Sequence, residues 1–289
     1  MFIFQFMGGL GNQMFQYAAA RALSVRRNLP FKVDFDDPYK FVKREFNLSM
    51  FDVQPMEHAG YFDLLKSKPK RRIQKRLWML LGQNPNGRLY KEPADYMFDP
   101  GFFSCPDGSY ISGFWQTEKY FLDIEDIIRK EFRFVIPPSA KNEEWLNKIN
   151  SSTSVSVHVR RGDVVAVAKT NKLYGTMTNS FYEDAMNHMV ESLGNCSFFF
   201  FSDDIEWVKE NIKTSYPAYY IDNNDDAHNY EDLRLMSSCK HHIIANSSFS
   251  WWGAWLNPDK NKKVIGPAKW MSTRVIADTD HIPGSWILL

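Results

Sequence analysis

Gln5-Phe6-Met7-Gly8-Gly9-Leu10-Gly11-Asn12-Gln13-Met14 is the stretch that decides the fold. It follows a short apolar run, Phe2-Ile3-Phe4. It precedes Phe15, Ala18, Ala22 and Val25, which recur at steps of three and four, the spacing of one helix face. The local unit is therefore strand, glycine loop, helix. Gly8, Gly9 and Gly11 carry no Cβ, so the loop can turn sharply and a ligand can approach its backbone. The helix start behind it presents unpaired N–H groups that favour an anion. Phe31-Lys32-Val33-Asp34-Phe35 then alternates as a strand and is stopped by Asp36-Asp37-Pro38. Strand, helix, strand at this spacing predicts a βαβ start and a parallel sheet.

Further along, residues 40–100 are less regular, with one helix expected over Tyr61–Leu81. Tyr110–Trp115 reads as a strand and Phe121–Phe132 as an amphipathic helix. Pro137-Pro138-Ser139 breaks the pattern, and a short helix near Asn142–Ile149 leads into polar Asn150-Ser151-Ser152-Thr153. The domain junction is placed there, giving domains 1–150 and 151–289. The second half alternates more plainly. Strands are expected at Val155–Val159, Ser197–Phe201, Ala218–Ile221, His242–Ala245 and Lys263–Ile265. Helices are expected at Ser180–Leu193, Ile205–Ile212, Tyr230–Ser238 and Phe249–Leu256. This pattern predicts an α/β protein of two doubly wound, Rossmann-like domains facing a cleft, with ligands beyond the carboxyl ends of the strands.

Composition is permissive. The 289 residues suit two domains of ordinary size, and 44% hydrophobic residues predict packed cores. A formal net charge of +1 gives no field that would dictate a nucleic-acid partner. Lys66, Lys68, Lys70, Arg71, Arg72, Lys75 and Arg76 cluster; a solvated helix face is the preferred reading, and a patch for anionic lipid or a charged polymer the sharper one. Cys105, Cys196 and Cys239 are widely spaced, so neither a disulfide framework nor a zinc site is expected, and a reducing compartment is inferred. No run approaches a membrane span, and Met1 leads straight into the first strand, so no leader is expected. The expected location is cytoplasmic, with the basic run as the candidate contact to the inner membrane surface.

Three loops carry the chemistry. In Val155-Ser156-Val157-His158-Val159-Arg160 the valines share one face and His158 and Arg160 the other. Arg160 offers a planar fork suited to phosphate oxygens, and His158 can bond a base edge or orient a neighbour. Asp163 can pair with Arg161 or hold the loop; the plain alternative is a structural Arg–Asp pair. In Phe198-Phe199-Phe200-Phe201-Ser202-Asp203-Asp204 a buried strand ends in two carboxylates. Asp203 or Asp204 could accept from a ribose hydroxyl or a guanine N–H; the plain alternative is that Ser202 or Asp203 caps the next helix, whose N-terminus the acids favour. Asn246-Ser247-Ser248-Phe249-Ser250 puts short polar side chains at a helix start, a phosphate cradle. Its plain reading is an N-cap over a tryptophan core; we take Trp251, Trp252 and Trp255 as core and the serines as ligand contacts.

Weaker signals are Asp34-Phe35-Asp36 and Asp278-Thr279-Asp280, which fit a metal-binding D-x-D pattern. His241-His242 would point apart on a strand, which is poor ligand geometry. The opening glycines do not form G-x-G-x-x-G, so a nicotinamide reading is disfavoured.

Together, Gly8–Ala18, His158–Asp163, Leu235–His241 and Asn246–Leu256 resemble the alpha-1,2-fucosyltransferases of glycosyltransferase family 11, bacterial type, over residues 5 to about 256. Residues 36–105 carry no matching motif. The resemblance implies a GT-B-like fold, GDP-beta-L-fucose as donor, a galactose-containing oligosaccharide as acceptor, inversion at the anomeric carbon, and neither metal nor cofactor. It implies that His158 touches guanine, that Arg160 touches the β-phosphate, that Asp203 or Asp204 helps hold guanine, and that Ser247 and Ser248 hold the phosphates; Asn246 and Phe249 beside them complete the expected donor-binding set. It further implies that the glycine loop, with Gly9, Gly11, Asn12 and Gln13, closes over the fucose. An aromatic usually follows the aspartate of the second motif; here it is Val164, a departure that bears on loop packing.

Arg160 and helix-start N–H groups are placed to stabilise negative charge growing on the leaving phosphate without a cation. No Asp or Glu lies between Val164 and Phe181. The base is therefore Asp163, or a loose transition state needs none; Arg160, Asp163 and Asn12 are the catalytic candidates. The rival readings are a metal-dependent transferase using a D-x-D pair and a nucleotide-sugar or glycan-binding module without turnover.

Overall fold

The computed structural model of this chain describes residues 1–35, 46, 48–67, 88–162, 165, 175–271, 274–275 and 279–289. The chain divides into two units, Met1–Arg133 and Phe134–Leu289.

In the first unit, β1 (Phe2–Gln5), β2 (Phe31–Asp34), β3 (Glu57–His58), β4 (Leu89–Lys91) and β5 (Tyr110–Ser112) form one sheet. Its order is β3-β2-β1-β5-β4, and every neighbouring pair is parallel. Phe2, Ile3 and Phe4 are all buried, which is why central β1 reads as a continuous apolar run rather than an alternating one. The helix Leu10–Arg27 joins β1 to β2 and buries Ala18, Ala19, Ala20 and Ala22. It stops at Asn28, in the left-handed region at φ 49°, with Arg26 and Arg27 in its last turn. Tyr17 donates to Glu131 Oε2 at 2.7 Å and Arg21 Nε to Oε1 at 2.9 Å, tying this helix to Glu125–Glu131.

Several expectations in this half change. The strand expected over Tyr110–Trp115 ends at Ser112, because the chain turns at Gly113 and Trp115 takes φ 57°. The helix expected over Phe121–Phe132 begins as single 3-10 turns, Glu118–Tyr120 and Leu122–Ile124, before Glu125–Glu131. β3 and β4 lie in the stretch read as irregular; they are too short to show a period. The helix expected over Tyr61–Leu81 is described as Tyr61–Ser67, and its remainder, with most of the basic run, lies outside the described residues.

In the second unit, β6 (Ser154–Val159), β7 (Ser197–Ser202), β8 (Ala218–Tyr220), β9 (His241–Ile243) and β10 (Val264–Gly266) are followed by the antiparallel pair β11 (Lys269–Met271) and β12 (Arg274–Val275), then β13 (Ile287–Leu288). The main sheet is parallel, in the order β13-β10-β9-β6-β7-β8. Counted from β6, that is the 3-2-1-4-5-6 order of doubly wound dinucleotide-binding sheets. Both units are therefore parallel α/β sheets of Rossmann type, the two halves expected of a GT-B-like protein.

The division falls after Arg133, toward the N-terminus from the junction expected after residue 150. The helix Ala140–Asn150 packs on the helix Asn229–Ser238. Its Asn142 bonds Asn224 at 2.9 Å and its Trp145 bonds Asn223 at 2.9 Å. These ties place the helix in the second unit, and the proline break lies inside that unit.

The β6 face assignment holds. Val155, Val157 and Val159 pack into one core with Met186, Met189, Phe198 and Phe200. On the opposite face, Ser156 Oγ meets His242 Nδ1 at 2.9 Å, and His242 Nε2 meets Asn257 Nδ2 at 2.9 Å. Asn257 also donates to the Cys239 carbonyl at 2.8 Å. Nε2 is therefore the acceptor, and Nδ1 carries the proton toward Ser156. His241 points the other way and accepts from Lys263 N at 3.0 Å. Trp251 and Trp252 are fully buried and Trp255 nearly so, core as expected. All three cysteines are free and buried. No helix among the described residues is long and apolar enough to cross a membrane.

Candidate active site

In a doubly wound sheet the ligand crevice opens where the strand order reverses, beyond the carboxyl ends of the strands. In the second unit that point lies between β6 and β9. His158 and Arg160 stand at the end of β6, and Asn246 and Ser247 follow β9. Arg160 Nη1 donates to the Asn246 carbonyl at 2.8 Å, so the guanidinium spans the switch point from one strand end to the next loop. A guanidinium has five donors in a fixed plane, and this anchor sets the plane's direction.

His158 lies beside it. Its side chain is buried, with the ring 5.8 Å from that of Phe249. Burial first, and the Arg160 charge second, push its pKa down to about 3, so the ring is neutral near pH 7. Its Nδ1 is buried without a hydrogen-bond partner among the described residues. Because a buried polar atom is normally satisfied, each exception calls for an explanation. Tyr182 donates to the His158 carbonyl at 3.3 Å and fixes the strand end.

The other second-unit residues singled out from sequence divide into holders and presenters. Ser247 is the N-cap of the helix Ser248–Leu256 and accepts from Phe249 N at 3.3 Å. Asn246 donates its amide to the Trp270 carbonyl at 3.1 Å and to Gly175 at 3.3 Å, which positions the loop. Ser248 and Phe249 are half-buried at the helix start, where backbone N–H groups and the helix dipole favour an anion. Asp203 clamps the loop after β6: its carboxylate accepts from Arg161 N at 2.9 Å and Gly162 N at 2.8 Å. A Cβ at Gly162 would fall 2.6 Å from Asp203 Oδ2, so this clamp requires glycine there. Asp204 is the N-cap of Ile205–Asn211 and pairs with Arg161 Nε at 3.1 Å. Arg161 also lies over the Trp207 ring at 3.6 Å. The cap expected at Ser202 or Asp203 is instead Asp204, while Ser202 Oγ accepts from Asp204 N at 3.0 Å, and Arg161 has Asp204 as a partner. Asp163 and Val164 lie outside the described residues.

In the first unit the order reverses between β1 and β5, and the glycine loop sits at that point. Gly8 has φ +78°, and a Cβ there would press into the Asn12 amide. Gly9 is the N-cap of the helix without a side-chain cap. Gly11 and Gln13 are buried, and Gln13 Nε2 donates to the Gly8 carbonyl at 3.0 Å. Gln16 accepts from Met7 N at 3.0 Å and donates to the Gly113 carbonyl at 3.3 Å. Asn12 Oδ1 accepts from Gln116 Nε2 at 2.6 Å. The glutamines are therefore struts, and Asn12 is the half-buried polar side chain that they frame.

Two carboxylates escaped the sequence reading. Burial raises Glu92, directly after β4, to about 7. Burial likewise raises Asp232 to about 7, against the lowering effect of a 2.7 Å bond from Asn224. Asp232 had a signal, a charge among the buried positions Tyr230, Leu233 and Met236; Glu92 had none. Among the described residues no group of three or more His, Cys, Asp or Glu is placed to hold a metal ion. Asp34 accepts from the Tyr110 hydroxyl at 2.6 Å, while Asp36 and Asp278 lie outside the described residues.

The alpha-1,2-colitosyltransferase of Escherichia coli is 34% identical, over 97% of this chain and 96% of its own length. The O-antigen biosynthesis glycosyltransferase WbnK of Escherichia coli is 32% identical, over 92% and 93%. Galactoside alpha-(1,2)-fucosyltransferase 1 of Homo sapiens is 28% identical, over 50% of this chain and 42% of its own length. The profile of Glycosyl transferase family 11 matches residues 1–288. With two nucleotide-binding-type sheets whose motif loops sit at the switch points, this chain belongs to glycosyl transferase family 11 and acts in glycosyl transfer from a nucleotide sugar.

Proposed function

We propose that the chain moves L-fucose from GDP-beta-L-fucose to the 2-hydroxyl of a galactose-containing glycan, with inversion and without a metal. The observation that carries this reading is the Arg160 fork held across the β6/β9 switch point by the Asn246 carbonyl. Beside it stand His158 Nδ1, without a hydrogen-bond partner among the described residues, and the helix start at Ser248. Negative charge grows on the leaving diphosphate as the glycosidic bond breaks. A fixed guanidinium and helix N–H groups stabilise that charge without reorganising, which is the term a divalent cation would otherwise supply. Neutral His158 meets the base edge as a hydrogen-bonding group rather than as a charge. Asn12 and the glycine loop serve the transferred sugar. Asp163 remains the carboxylate base candidate of the second motif.

The colitosyltransferase relative favours a second reading of the donor, in which the sugar is colitose, a deoxy analogue of fucose. A site that hydrogen-bonds a hydroxyl rejects the analogue lacking it, whereas an apolar pocket discriminates weakly.

The test is a melting series followed by turnover. GDP and GDP-fucose should raise the melting temperature by mass action, and UDP- and CMP-sugars should not. Transfer to galactosides should then be measured with GDP-fucose and GDP-colitose side by side, in excess EDTA. Equal shifts from GDP and UDP overturn the guanine assignment. Activity that vanishes in EDTA and returns with manganese overturns the metal-free mechanism.

A further inference from the structure

The chain leaving β5 makes a turn that needs holding. A Cβ on Gly113 would lie 2.5 Å from Glu92 Cβ, 2.7 Å from Glu92 Oε2 and 2.9 Å from the Trp115 ring. Trp115 itself sits at φ 57°, a conformation that large side chains rarely adopt. Glu92 holds the turn: Oε2 accepts from Phe114 N at 2.6 Å and Oε1 from Trp115 N at 3.1 Å. Its own N–H donates to the Ser112 carbonyl at 2.9 Å, fixing it to the end of β5. The next residue after Trp115 is Gln116, nearly buried, whose amide donates to Asn12 Oδ1 at 2.6 Å. The Gln16 amide reaches the Gly113 carbonyl from the glycine-loop side. A carboxylate thus holds a strained turn, and the turn holds the side chain that orients Asn12.

We propose that Glu92 and Gln116 are positioning residues that fix the Asn12 side chain for glycosyl transfer. This rests on the reading above, in which Asn12 serves the transferred sugar. An ionised carboxylate accepts both N–H groups; a protonated one turns one oxygen into a donor. Burial raises Glu92 to about 7, with the Asp95 charge adding and the two N–H bonds opposing. Tyr120 also faces it, and burial raises that phenol so that it stays neutral. The clamp is complete only above about pH 7, so turnover should climb through that value. Stability runs the other way. The folded pKa lies above the unfolded value, so Glu92's contribution is present below the unfolded pKa and is lost as pH rises through about 7. Turnover that rises while stability falls is a signature that a merely structural carboxylate would not give.

The test uses the full chain and two variants, Glu92→Gln and Gln116→Ala. The Asn12 side-chain amide is followed by NMR with asparagine labelling, assigned by its loss in Asn12→Ser. The wild-type signal should move with a midpoint near 7, and Glu92→Gln should abolish that midpoint. In both variants kcat should fall about tenfold or more, with KM for GDP-fucose nearly unchanged, because misplacing a group costs rate rather than donor binding. An Asn12 signal indifferent to both substitutions, or wild-type kcat in both folded variants, overturns the inference. If the wild type transfers no sugar from GDP-fucose while the Asn12 signal still answers to Glu92, the donor reading falls and the positioning network stands.

Discussion

Gly8→Ala gives the sharpest perturbation of the glycine loop. Gly8 has φ +78°, where an L-residue is strained by about 1–2 kcal/mol. For a chain of this size that is roughly 2–8 °C in melting temperature, at about 2–4 °C per kcal/mol. The larger effect is local. The new Cβ would sit well inside 3.0 Å of Asn12 Nδ2, and an ordinary contact begins at 3.4 Å. The Asn12 amide must therefore retreat by on the order of 1 Å, a displacement that can reduce rate about a hundredfold at a reacting centre. The assay is kcat for sugar transfer, with melting curves, in Gly8→Ala, Asn12→Ala and the double variant. If the loss passes through Asn12, the double variant should turn over no more slowly than Asn12→Ala alone, because coupled sites are not additive. A folded Gly8→Ala protein with wild-type kcat, or a double variant carrying the full sum of both losses, would refute the reasoning.

The remaining predictions concern the second unit. Arg160→Lys should lower kcat on the order of a hundred- to a thousand-fold in a folded protein, since an ammonium cannot bond the Asn246 carbonyl and a phosphate in one plane. Arg161→Lys should be milder in turnover, because Arg161 is engaged by Asp204 and Trp207; steady-state kinetics on both variants checks this. His242→Leu should destabilise the fold by about 1–3 kcal/mol near neutral pH, because Ser156 and Asn257 lose a buried partner. Burial holds the folded His242 pKa well below 6.5, so the unfolded chain takes up a proton that the folded chain refuses, and stability falls as pH drops below 6.5. The variant's acid slope in chemical denaturation should therefore be shallower than the wild type's; an unchanged slope would assign the acid sensitivity elsewhere.

The sequence by itself determined what local physics controls. Glycines followed by a helical period specify a strand–loop–helix unit. The period-two pattern of Val155-Ser156-Val157-His158-Val159-Arg160 specifies which side chains share a face, and His158 and Arg160 do stand at the strand end. At Ser247 the sequence offered a ligand contact and, as the plain alternative, a cap; the cap is a local event, its hydroxyl acting within two residues of its own position. Tertiary structure decided what depends on distant parts of the chain. The strand order, and hence the two switch points, arises from non-consecutive pairing such as β6 with β9, which no local pattern encodes. The unit boundary follows from Asn142 and Trp145 reaching Asn223 and Asn224. Asp203 and Asp204 became a clamp and a cap because β7 lies beside β6. Glu92 is one of many surface-type carboxylates in the sequence. Tertiary packing, with Gly113 close against its side chain, buries much of it and raises its pKa, because desolvation is a property of the neighbours and not of the residue.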